Sequence, residues 1–98
     1  MSKREITESY TELKPDQIFE AGKSVLKELG FEIFKTRPFA FLIQAKKPVE
    51  SGVINANLIA NAFSKEFTIT VKGENEPQEN VDSIANDILD STRNQLRK

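Results

Sequence analysis

The chain has 98 residues, 38% of them hydrophobic and 30% charged, with a net charge of −1. A chain of this length is expected to form one domain over 1–98, with enough apolar material for a core. Neither cysteine nor histidine occurs, which excludes disulfides, thiol nucleophiles and Cys-ligated metal centres and removes the usual general base at neutral pH.

Residues 5–13 alternate loosely, with Ile6 and Tyr10 on one parity and Leu13 among threonines on the other. Thr and Tyr favour pleated structure, so a short edge strand is expected there. Residues 15–29 carry Ile18, Phe19, Gly22, Val25, Leu26 and Leu29 at the three-and-four spacing of one buried helix face. Pro15 suits the first turn, and Gly30 suits the left-handed position that ends a helix. Gly22 lies on the apolar stripe and points to close approach of helix and sheet.

From Phe31 to Lys72 the period changes from 3.6 to 2. Phe31, Ile33 and Lys35 alternate with Glu32, Phe34 and Thr36, and a turn is expected at Arg37-Pro38. Phe39, Phe41, Ile43 and Ala45 form the core parity of the next strand, against Leu42, Gln44 and Lys46. After the breaking segment 47–52, Ile54, Ala56, Leu58 and Ala60 alternate with Asn55, Asn57 and Ile59. A connection at 61–65 leads to Phe67, Ile69 and Val71, alternating with Thr68 and Thr70. Pro77 opens a second helix to about Leu96, striped by Val81, Ile84, Ala85, Ile88 and Leu89. The fold class is therefore α+β: an antiparallel sheet of four to five strands with two helices on one face, in the order β-α-β-β-β-β-α.

That order of elements resembles one repeat of the TATA-binding protein and the helix-grip domains, which include START-like lipid and hormone carriers. Pro15-Asp16-Gln17-Ile18-Phe19-Glu20-Ala21, followed by Leu26-Lys27-Glu28-Leu29-Gly30-Phe31-Glu32-Ile33, also looks like many small bacterial domains in which a helix ending in Leu-Gly-Phe feeds a strand. The resemblance covers most of the chain as a pattern of elements. It implies a fold and transfers no site residue, because no family motif is matched residue by residue.

Motifs that mimic chemistry have simpler explanations. Gly22-Lys23-Ser24 imitates the end of a P-loop, but position 17 is Gln and the triplet lies inside a helix whose N–H groups are already used. Asp82, Asn86, Asp87 and Asp90 sit on a helix, without the alternating ligands and bend glycine of a Ca²⁺ loop. Ser24, Ser64, Ser83 and Ser91 have no histidine to activate them. No enzyme activity, cofactor or metal is expected.

The side of the sheet away from the helices is the candidate site. Phe34, Leu42 and Ile59 fall on it among Asn55 and Asn57, and a mixed apolar patch of this kind marks a partner or self-association surface. The expected function is a non-catalytic interaction module forming a homodimer or binding a protein through this face or a sheet edge. One alternative is a small carrier of an apolar ligand between the second helix and the sheet, where Ala45, Ala56, Ala60 and Ala85 leave room. Another is a weak nucleic-acid or phosphate binder using Lys35, Arg37, Lys46 and Lys47, which this reading places at opposite ends of a hairpin. A near-neutral chain has no global pull toward nucleic acid or a membrane. With no leader-like N-terminal segment and no run long enough to span a bilayer, a cytoplasmic location is expected.

Overall fold

A computed structural model describes residues 2–97. The elements are β1 (Ser2–Ser9), α1 (Pro15–Glu28), β2 (Glu32–Arg37), β3 (Leu42–Val49), β4 (Gly52–Asn61), β5 (Glu66–Gly73) and α2 (Gln78–Leu96). This is the α+β order read from the sequence. All five strands join one antiparallel sheet, in the spatial order β1-β5-β4-β3-β2. The hairpin-linked strands β2 to β5 lie side by side, and β1 returns to pair with the last of them.

Both helices pack on one face of the sheet and on each other. The register brings Ile43, Leu58 and Ile69 into one row and Ala45, Ala56 and Val71 into the next, and all six are buried on the helix side. Ile18, Val25 and Leu26 of α1 and Val81, Ala85 and Ile88 of α2 close over these rows. Small alanines in the second row let the helices approach the sheet closely. Gly22 is the tightest point. A Cβ there would lie 3.0 Å from Leu58 Cδ1 and 3.1 Å from Ile43 Cδ1.

The helix ends follow from local chemistry. Pro15 takes the first position of α1, and the Lys14 amide ahead of it donates to Gln17 Oε1 at 2.8 Å. At the other end Gly30 has φ +88°, its amide donates to the Lys27 carbonyl at 3.1 Å, and the Phe31 amide donates to that of Leu26 at 2.9 Å. These paired bonds end the helix and turn the chain into β2. In α2 the fully buried Thr92 donates its hydroxyl to the Ile88 carbonyl at 2.7 Å. Among the described residues, no buried side-chain nitrogen or oxygen lacks a hydrogen-bond partner.

Three local expectations are corrected. The first strand lies earlier, at Ser2–Ser9, and Tyr10 leaves it to bury its ring against Phe67. The β2–β3 turn is longer than Arg37-Pro38. Strand β3 begins at Leu42, and Phe39, assigned to the core by alternation, is fully exposed. Finally, the register of β2 shifts between Ile33, opposite Ala45, and Lys35, opposite Gln44. This β-bulge inserts one residue, so the parity of everything after it flips. Lys35 and Arg37 therefore leave the core parity and join the opposite face.

Candidate functional site: the uncovered sheet face and its hairpin tips

With both helices on one side, no element among the described residues covers the other face of the sheet. Three cross-strand rows of its side chains run through four strands. One runs Lys46, Asn55, Lys72, Lys3; the next Gln44, Asn57, Thr70, Glu5; the third Leu42, Ile59, Thr68, Thr7. Thr7 and Thr68 are hydroxyl partners at 3.1 Å. Strand β2 adds Glu32 opposite Lys46, Lys35 opposite Gln44 and Arg37 opposite Leu42.

All three apolar residues picked out in the sequence lie on this face. Leu42 and Ile59 are direct cross-strand neighbours, so their Cβ atoms sit about 5 Å apart. Phe34 lies within the bulge and is 51% exposed. The Lys46 ammonium is 5.7 Å from its ring centroid, which places the ring on the same side. Asn55 and Asn57 take the middle of the face, between the lysine row and the apolar row.

The four basic residues do not stay together. Lys35, Arg37 and Lys46 share the open face, spread over roughly 13 Å of strand length. Lys47 points to the helix side, where its ammonium donates to the Leu29 carbonyl at the end of α1 at 2.9 Å and lies 5.8 Å from the Phe31 ring centroid. A cation at that end of a helix is favoured by the dipole, so Lys47 has a structural partner of its own.

At the end of the sheet where β1 finishes, the β2–β3 and β4–β5 hairpins lie beside each other. Each turn is held by its own hydrogen bonds. In the first, the Ala40 amide donates to the Arg37 carbonyl at 3.1 Å, and the Ala60 amide of β4 donates to the Phe41 carbonyl at 3.1 Å. Phe41 has φ 52°, and this left-handed residue turns its ring inward, edge-on to Phe19 with centroids 6.4 Å apart. In the second, Asn61 Oδ1 accepts from the amides of Phe63 at 2.8 Å and Ser64 at 3.0 Å, and Lys65 has φ 58°. The Tyr10 hydroxyl donates to the Asn61 carbonyl at 2.8 Å, tying the turn to the chain leaving β1. Phe39 and Phe63, one per tip, are both 100% exposed. No family model matches this chain, and no curated protein matches it.

The sequence reading did not find these two rings. Pro38 was the available signal for Phe39, since a residue directly after a turn proline lies in the turn. For Phe63 it was Asn61, two residues earlier, whose side chain caps such turns.

Near the same end, Arg93 of α2 holds Glu8 of β1 through two hydrogen bonds, Nε to Oε2 at 2.6 Å and NH2 to Oε1. These bonds hold the Glu8 carboxyl below its usual value, while partial burial acts the other way. On the helix side, a cleft of about 90 Å³ lies among Leu29, Phe31, Val49, Ile54 and Ile84, with Lys47 and Asp87 at its mouth. An apolar cavity that admits benzene is about 150 Å³, so this cleft fits only a few heavy atoms.

Proposed function

We propose that the chain is a non-catalytic interaction module that self-associates through the uncovered face of its sheet. The observation that carries this reading is the placement of both helices on one side, which leaves Phe34 and Ile59 exposed and Leu42 half-buried on the other. Isolated exposed hydrophobes are ordinary. Here a leucine and an isoleucine are paired across strands within a flat, hydrogen-bonded platform, with a phenylalanine on the same face.

Five strands about 4.8 Å apart and six residues along each give a plane of about 24 by 20 Å. The accessible surface over such a plane is larger than its flat projection, so a second copy laid on it would bury close to the roughly 800 Å² per partner of a standard interface. Association depends on concentration. Sedimentation equilibrium over a concentration series tests it. The average mass should rise with concentration, and Leu42→Asp should abolish the rise at a cost of about 1 kcal/mol in stability, since Leu42 is half-buried in a strand. A chain that stays monomeric at the highest concentration, with Leu42→Asp without effect, refutes the reading.

A second reading is supported by the bulge. It sets Lys35 and Phe34 on one face with Lys46, a basic and aromatic surface suited to phosphate-bearing ligands. Binding to single-stranded nucleic acid that weakens steeply with salt would support it, and no binding at low salt would end it.

A further inference from the structure

Strand β1 is one border of the sheet, and the register shows which way its backbone groups point. The Tyr10 amide donates to the Lys65 carbonyl at 2.8 Å, and these two residues continue the register that sets Ser9 opposite Glu66. Bonded and non-bonded pairs alternate along an antiparallel ladder. Arg4, Ile6 and Glu8 therefore turn their amides and carbonyls to β5, as Tyr10 does, while Lys3, Glu5, Thr7 and Ser9 turn theirs outward. The Lys3 carbonyl agrees with this, for it accepts from Gln78 Nε2 of α2 at 2.8 Å.

The side chains of this border are complementary to themselves. Arg4, Ile6 and Glu8 lie on the helix side, opposite the buried Val71, Ile69 and Phe67. Let a second copy lie antiparallel to the first, its helices on the same side, with the two-fold axis through Ile6. Ile6 then faces Ile6, Arg4 of each copy faces Glu8 of the other, Glu5 faces Thr7, and Lys3 faces Ser9. An axis at Glu5 would oppose two carboxylates, one at Arg4 would oppose two guanidiniums, and one at Thr7 would set Ile6 against Glu8. Only the Ile6 axis pairs opposite charges without opposing like ones. Glu8 already accepts from Arg93, and a carboxylate has acceptor sites for a second guanidinium.

We propose that two copies of this chain join β1 to β1 about an axis at Ile6, making one continuous sheet of the two. Lys3, Glu5, Thr7 and Ser9 of each copy exchange backbone hydrogen bonds with the other, and Gln78 releases the Lys3 carbonyl to the amide of Ser9. The contact extends beyond the backbone. Helix α2 packs on both β1 and β5, so the two α2 helices meet above the Ile6 pair about two strand spacings apart, roughly 10 Å, the separation of packed helices. Joining the borders leaves the uncovered faces side by side as one wider platform, so the edge pair is the unit that associates through the face, and neither contact requires the other.

Sedimentation equilibrium of Leu42→Asp separates the two contacts, because β3 lies three strands from β1. Its mass should stay at that of two chains throughout the concentration series. The mass of one chain overturns the proposal and leaves the face reading standing. Thr7→Pro removes an outward amide and no bond to β5, a substitution that border strands tolerate. It deletes one hydrogen bond on each side of the axis and should weaken the pair at least about thirtyfold while unfolding stays cooperative; an unchanged dissociation constant overturns the proposal. The chain has no cysteine, so Ile6→Cys supplies a single thiol. On the axis, in a non-bonded pair with Cα atoms about 4.5 Å apart, it lies within disulfide reach of its counterpart and should oxidise to a crosslinked dimer much faster than Glu5→Cys. Faster crosslinking of Glu5→Cys overturns the proposal.

Discussion

Gly22→Ala sets two opposed effects against each other inside the core. Alanine in a helix interior is favoured over glycine by about 0.8–1.0 kcal/mol. Against this, the new methyl would stand 3.0 Å from Leu58 Cδ1, 3.1 Å from Ile43 Cδ1 and 3.4 Å from Leu58 Cδ2. Both of those side chains are fully buried, so their ends have no solvent to move into, and overpacking of this kind costs about 1–3 kcal/mol. With about 2 kcal/mol lost and about 1 gained, the variant should be less stable by about 1 kcal/mol, a fall in Tm of roughly 4–8 °C for a chain of this size. Ile43→Val removes one of the obstructing atoms and should cost about 0.5–1.5 kcal/mol alone. Combined with Gly22→Ala it should cost less than the sum, because the vacated space admits the methyl and lets Leu58 shift. Urea and thermal unfolding of all four forms, followed by far-UV circular dichroism, measure the cycle. A Gly22→Ala chain more stable than the parent, or strictly additive effects, would refute the idea that close approach of α1 to the sheet requires glycine here.

Two further outcomes follow from buried and paired polar groups. Thr92→Val should leave stability between unchanged and about 1 kcal/mol higher by urea unfolding. The hydroxyl bonds a carbonyl that the helix already satisfies, and the replacement buries a methyl; a loss above about 1 kcal/mol would contradict this. The Glu8 carboxyl is held below its usual value of 4.5 by its hydrogen bonds to Arg93, so folding favours its charged form. Its stabilising effect is complete above the unfolded-state value and is lost as pH falls through the lower folded-state value. The stability gap between the parent chain and Glu8→Gln should therefore narrow on titration from about pH 6 to about pH 3, and a constant gap would count against the pairing.

The helices and the central strands were legible because their periods are long and unbroken. Ile18 to Leu29 and Val81 to Leu89 repeat every three or four residues, and 53–61 and 66–72 each alternate without interruption. Leu42 and Ile59 could be placed on the open face from that alternation alone. The edge hairpin was harder. One inserted residue at the bulge leaves the hydrophobic pattern of 31–36 intact to the eye while reversing which side Lys35 and Arg37 occupy. The left-handed turn at Phe41 has the same effect, for alternation carried back through Phe39 assigns a buried side to a ring that stands in water. Lys47 was misgrouped because sequence neighbours in a strand point opposite ways, and its partner, the Leu29 carbonyl, lies on another element.

The bulge also separates the two borders of the sheet in kind. Strand β1 runs straight for eight residues in register with β5, whereas β2 on the far border is interrupted at Ile33/Lys35. Backbone pairing with an incoming strand needs an even row of donors and acceptors, which only β1 presents. Two molecules joined β1 to β1 would have only kinked borders left on the outside, and a third would meet no straight strand. Edge-to-edge pairing, were it to occur, would thus be open at β1 and closed at β2 by the placement of a single extra residue.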